Sequence, residues 1–197
     1  MTYTTQNFEH LLGLKGLSSQ LLQNHFKLYQ GYVTNTNKLL DILAVMEKEG
    51  KTATPEYAEL KRRFGWEFNG MRLHELYFGN MIKGGKALNK NSPFAKELVK
   101  VHGSLENWEK NFKAVGVMRG IGWAVLAYDP QQKEFFNLWI NEHDVGHLTG
   151  AVPLLVMDVF EHAFMMDYGL NRADYIKAFM DSIDWEVVVE RFKKAMH

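Results

Sequence analysis

Val152-Pro153-Leu154-Leu155-Val156-Met157-Asp158-Val159-Phe160-Glu161-His162 is the stretch on which the fold turns. Its apolar first part is shorter than an ordinary helix and reads as a buried strand. It delivers the carboxylate of Asp158 and the imidazole of His162 to a point where the strand pattern gives way to a helical one. Ionisable groups at the end of a buried element are costly unless they are paired or bound to metal. Taken singly, Asp158 suits a helix N-cap and Glu161 a first helical turn. A lone histidine on a helix is more often a satisfied core residue than a ligand. Two earlier histidines, His25 and His74, lie inside helical patterns and complete a set of three imidazoles and one carboxylate. Together the set points to a redox metal centre.

Upstream, residues 18–48 carry helical periodicity without proline, with Ser18 or Ser19 to cap the start and Gly50 to close the end. Thr54-Pro55-Glu56 opens a second helical stretch, with proline in the first turn, where its missing donor is harmless. That stretch runs toward Met81, and Gly84-Gly85 breaks it. Two long helices with a short connection predict an antiparallel hairpin. Short helices follow near 93–103 and 105–114, the second capped by Ser104. Trp123 to Tyr128, Lys133 to Ile140 and Val152 to Met157 read as strands, the first two joined through Asp129-Pro130-Gln131-Gln132. Helix is expected again from about Glu161, and from Asn171 to the C-terminus. The predicted class is α+β: an N-terminal helical hairpin domain, 1–89, then a C-terminal α/β domain, 90–197, with a three-stranded antiparallel sheet.

Composition narrows the chemistry. Lys plus Arg equals Asp plus Glu at 23 each, so no overall field draws nucleic acid or an anionic membrane. The absence of cysteine excludes disulfides, thiolate metal sites, iron–sulfur clusters and thiol nucleophiles together. No apolar run approaches the roughly 18 residues of a membrane span. No signal segment is evident at the N-terminus, and the expected location is the cytoplasm. His143 and His147 form a His-x-x-x-His pair, but Gly146 between them argues against a helix, and the glutamate of the zinc hydrolase motif is missing. His10, His102 and His197 read as solvated. Arg172 suits either anion attraction or a capping or interface ion pair.

Several blocks in order carry a resemblance: Asn24 to Val33, Phe68-Asn69-Gly70-Met71-Arg72-Leu73-His74-Glu75-Leu76-Tyr77-Phe78, Gly120 to Leu126, Asn141-Glu142-His143-Asp144, and Asp158 to His162 with Ala163. From about Leu21 to Phe192 the chain resembles the iron/manganese superoxide dismutases. The resemblance implies His25, His74, Asp158 and His162 as ligands of one iron or manganese ion per chain. It implies His143 as the residue that tunes the metal's bound solvent, a task some members give to a glutamine from the N-terminal half, where Gly70 stands here. Tyr32 matches the gateway tyrosine, Trp123 an aromatic wall of the pocket, and Phe160 a position usually held by tryptophan. Glu161 matches the residue that reaches a ligand histidine of the partner subunit. The implied assembly is a homodimer or homotetramer, with superoxide as substrate. Three imidazoles and one carboxylate suit iron or manganese on their own chemistry and leave a position open.

Two departures from the family stand out. Its first ligand lies one residue further from the gateway tyrosine than His25 does from Tyr32, and an inserted residue in a helix makes a π-bulge. The bulge is therefore expected to be missing or moved, since seven residues of regular helix keep His25 and Tyr32 on one face. A polar histidine–tyrosine pair that meets across the family's interface is replaced by Leu28 and Met165, which leaves no unsatisfied group. Two other readings compete: a metal-free structural or interaction protein on the same fold, and a mononuclear iron enzyme of oxygen or peroxide chemistry. Retention of all four candidate ligands argues against the first. Metal counting with an absorption spectrum separates the second, whose ligand set leaves more positions open.

Overall fold

The computed structural model describes residues 2–196. Helix α1, Ser19–Lys48, starts where the Ser18 hydroxyl accepts the Leu21 N–H. Its buried residues, among them Leu21, His25, Tyr29, Tyr32, Thr36, Leu39 and Leu43, recur at three- and four-residue spacing and form one stripe. Helix α2, Pro55–Gly79, has Thr54 as N-cap and Pro55 in its first turn. The pairs Asn35–Glu67, Tyr29–Glu75 and His25–Phe78 run in opposite directions along the two helices, so they form an antiparallel hairpin. Within α1 the backbone is α-helical throughout, without a π turn.

Helices α3, Pro93–His102, and α4, Leu105–Gly116, lead into the sheet, with Ser92 and Ser104 as N-caps. Strands β1, Gly122–Asp129, β2, Glu134–Asn141, and β3, Val152–Asp158, pair antiparallel in the order β2-β1-β3. The central β1 is buried along all but its last residue, which is why it is almost continuously apolar. Register sets Trp123 opposite Asp158 on one side and Ile140 on the other. One cluster of buried apolar side chains joins the hairpin, the sheet and the C-terminal helices.

The C-terminal segment differs from expectation in two places. Helix does not resume at Glu161: Glu161–Ala163 is a single 3₁₀ turn, followed by the four-residue α5, Met165–Tyr168. The helix expected from Asn171 to the end is two, α6, Arg172–Asp181, and α7, Trp185–Ala195. Between them Ile183 and Asp184 bridge to Met81 and Lys86, and the Asp184 N–H bonds to the Asn80 carbonyl at 2.7 Å. A pairing with a segment about a hundred positions earlier wins over local helical preference. The same contact ends α2 at Gly79, before Met81.

Asn80 ties these elements together from a fully buried position. Its amide donates to the Val156 carbonyl of β3, and its carbonyl accepts from Arg191 of α7. Arg191 also donates to the Leu154 and Leu76 carbonyls. Burial lowers the Arg191 guanidinium to about 10, still charged at neutral pH. Replacing Asn80 with Ala leaves both partners short of a bond, and each buried group left unsatisfied costs about 1–3 kcal/mol. Chemical denaturation of Asn80→Ala is expected to show a loss of about 2–6 kcal/mol by the same count.

Candidate metal centre

The structure brings together His25 from α1, His74 from α2, and Asp158 and His162 from the end of β3 and the turn after it. Their candidate ligand atoms all lie within 4.8 Å of one another. The Asp158 Oδ2 atom stands 3.2 Å from His25 Nε2, 3.1 Å from His162 Nε2 and 3.7 Å from His74 Nε2. Donors each about 2.1 Å from one ion fall roughly 3.0–3.6 Å apart, so the spacing suits a shared centre. Asp158, His74 and His25 are buried, whereas the His162 side chain keeps 30% of its exposure.

Hydrogen bonding decides what each ring presents. His74 Nδ1 donates to the Gly70 carbonyl at 2.6 Å, one turn back along α2. A neutral imidazole carries one proton, so His74 Nε2 is a bare lone pair, buried and without a hydrogen-bond partner. It faces a carboxylate oxygen. Two electron-rich atoms so placed repel unless a cation lies between them, and the four residues fit a metal ion on that ground. Burial holds His74 and His25 below the ordinary imidazole range, so both are neutral. Burial by itself raises the Asp158 pKa, but the His162 and His25 imidazoles outweigh it and hold the carboxyl below its usual range. His25 Nδ1 has no partner, so packing against Tyr77, Phe78 and the other two rings orients it.

His143 sits beside this set, fully buried. Trp123 Nε1–H, which can only donate, bonds to His143 Nδ1 at 3.1 Å. The imidazole proton is therefore on Nε2, which donates to Tyr32 Oη at 2.8 Å. Burial lowers His143 to about 4 and raises Tyr32 above the usual phenol range, so both are neutral at pH 7. Phe160 stacks on His143 at 5.0 Å and on His162 at 5.2 Å, a flat wall between them. Trp123 meets His74 edge-on at 5.0 Å. Glu161 is exposed at the rim, beside Met165 and Met166.

Three residues around the site escaped the sequence reading. Trp66 covers the outer edge of His143 at 4.5 Å. It precedes His74 by two helical turns, and that spacing on one face was the available signal. Tyr175 donates to the Asp158 backbone carbonyl at 2.6 Å, and Tyr77 donates in turn to Tyr175 at 3.1 Å. No local pattern marks that pair. Arg172 donates to the Met118 and Gly120 carbonyls, which follow the end of α4. His102 is half-buried rather than solvated, with Nε2 shielded and unpaired. His10 is exposed, and His197 lies outside the described residues. His147 donates to the His143 carbonyl from a non-helical loop, so the pair does not present two imidazoles on a helix face.

Residues 90–191 match the model of a family described as iron/manganese superoxide dismutases, C-terminal domain. Over 188 residues the chain is 36% identical to the iron superoxide dismutase of Aquifex pyrophilus, covering 93% of this chain and 87% of that protein. It is 33% identical to the iron superoxide dismutase of Cupriavidus metallidurans, covering 93% and 92%. With superoxide dismutase 2 of Haloferax volcanii, a manganese protein by name, identity is 32%, covering 91% and 89%.

Gly70 makes room for the Tyr32 side of this arrangement. A Cβ there meets the Tyr32 ring at 2.6 and 2.7 Å. Gly70→Ala is expected to displace Tyr32 from His143 and to cost about 1–3 kcal/mol, the usual range for overpacking. Thermal unfolding measures the cost. The His143 Nε2–H resonance, shifted when its acceptor leaves, reports the displacement.

Proposed function

The chain belongs to the iron/manganese superoxide dismutase family and is a superoxide dismutase, and on that premise we propose which residues serve the reaction. Superoxide is disproportionated to dioxygen and hydrogen peroxide. An iron or manganese ion, one per chain, would supply the one-electron couple that the reaction needs. His25, His74 and His162 would hold that ion through imidazole nitrogens, and Asp158 through its carboxylate. The observation that carries the assignment is the partnerless lone pair of His74 Nε2 facing Asp158 Oδ2.

The other residues govern protons and access. His143 is locked in one tautomer by Trp123, so its remaining proton is directed at Tyr32 and the two act as a unit. The Tyr32 hydroxyl accepts that proton's bond and keeps its own hydrogen free to donate to an oxygen species. Peroxide formation consumes two protons for each turnover, and a neutral phenol beside a neutral imidazole is suited to holding one at a fixed atom. Phe160 and Trp123 keep bulk water off the rings. The metal-free alternative gains no support, because it leaves the His74 lone pair opposed to a carboxylate.

A homodimer or homotetramer belongs to the same proposal. Met165 and Met166 are exposed apolar side chains beside Glu161 and His162, and they support an interface there. A cytoplasmic location and a division of the chain at residues 89/90 complete the reading.

Full-length protein expressed with iron or with manganese, counted for metal by mass spectrometry and assayed for superoxide removal, tests the assignment. Near one metal per chain with activity is expected. Asp158→Ala is expected to lose the metal, and an unchanged metal content with full activity would sink the ligand set. His143→Gln is expected to keep metal while shifting the iron-to-manganese activity ratio by about tenfold, the scale of changes to a ligand's hydrogen-bonded surroundings. An unaltered ratio would refute the tuning role.

A further inference from the structure

His143 is the one buried residue in the otherwise exposed stretch from Asn141 to Gly150. Its own loop packs little around it, so contacts from other elements must fix its place. Trp123 and Tyr32 hold the two ring nitrogens. Phe160 stacks on one face of the ring at 5.0 Å, and the outer edge is covered by Trp66, whose ring meets the imidazole edge-on at 4.5 Å and lies 5.5 Å from Tyr32.

Trp66 is itself gripped twice. Its indole N–H donates to Glu142 Oε2 at 3.1 Å. The Arg63 guanidinium lies 3.9 Å from its ring centroid, and Arg63 is anchored to the buried Glu67 carboxylate through Nε at 2.8 Å and a terminal nitrogen at 2.7 Å. Glu142, directly before His143, has φ of +50°. That left-handed backbone is disfavoured for a residue with a Cβ. Lys133, the other such residue among those described, sits in the β1–β2 turn, where the conformation is ordinary. At Glu142 it sends the carboxylate to the indole while the next residue turns inward. Strain of this kind persists where surrounding structure enforces it, and it gathers at functional sites.

We propose that Glu142, Trp66 and Arg63 form a clasp that sets the position of His143. In it Glu142 is a positioning residue, acting on the imidazole through the Trp66 indole. The inference rests on the assignment of His143 to the dismutase site. It adds to that site a residue that touches neither ligands nor substrate.

Glu142→Gly removes the carboxylate and the strain together. Glu142→Gln keeps an oxygen acceptor for the indole. Trp66→Phe keeps the ring and loses the N–H. Each full-length variant, iron-loaded, is compared with the unaltered protein in metal content, melting temperature, acrylamide quenching of tryptophan fluorescence, and azide affinity followed in the visible spectrum.

Glu142→Gly is expected to hold its metal and to melt at or above the unaltered protein. Its tryptophan quenching should rise, and its azide affinity should change by about tenfold, the lower end for groups that orient a metal site from outside it. Glu142→Gln should behave as the unaltered protein, and Trp66→Phe should share the azide change. Unchanged quenching and azide affinity in Glu142→Gly would overturn the clasp. So would an equal change in Glu142→Gln, since charge and not the indole bond would then act. Should the unaltered protein take up no metal, the dismutase assignment of the ligands fails by itself. Quenching and melting of Glu142→Gly still decide whether the clasp exists.

Discussion

A carboxylate with no exposure to water is the constraint around which this molecule is arranged. Burying an ion carries a penalty of several kcal/mol even after relaxation, and Asp158 is fully buried at the meeting point of three chain segments. Its Oδ1 atom accepts the Phe160 N–H at 2.9 Å, and Oδ2 is left to three imidazoles. One of those rings can present only a lone pair. A cation reconciles them, and its binding energy then belongs to the folding energy of the whole assembly. An ion bound there would hold helix α1, helix α2 and the end of β3 to one point. Each hydrophobic contact between them serves to keep that point in register.

The elements reach this point through ordinary periodicities. On α1, His25, Tyr29 and Tyr32 share the buried stripe. On α2, Trp66, Gly70, His74 and Phe78 recur every four residues, so cover, clearance, ligand and packing wall stand one above the other. The sheet contributes through register, with Trp123 beside Asp158 on neighbouring strands. Trp123 therefore touches His74 and fixes the tautomer of His143 from one place. Gly122, directly before Trp123, and Glu142, directly before His143, are where this arrangement needs special backbone, with φ of +153° and +50°.

The hairpin and the three strands were legible in the sequence because their signals are local. Ser18, Thr54-Pro55 and Ser104 mark starts by capping chemistry, and the run from Val152 to Met157 announces a buried strand. Asp158 and His162 were legible for the same reason, as charges at the end of such a run. The break between α6 and α7 was not, since it depends on Ile183 and Asp184 meeting Met81 and Lys86 across the fold. Arg172 likewise found backbone carbonyls that no spacing points to. Tyr77 and Tyr175 resemble core aromatics in any pattern analysis, and only the tertiary structure joins them to the back of Asp158. His25 and Tyr32 were expected on one face of an unbulged helix, and α1 is regular throughout.

The clearance at Gly70 bears on how such a site can change over time. A side chain at 70 would enter the space of the Tyr32 ring, which is hydrogen-bonded to His143. Because the Tyr32 ring already fills the space a side chain at 70 requires, the two positions are coupled. A lineage that moved the tuning group to α2 could not do so by a single accepted substitution. It would first have to shift Tyr32. Effects at positions in contact do not add, so the path between the two arrangements is epistatic.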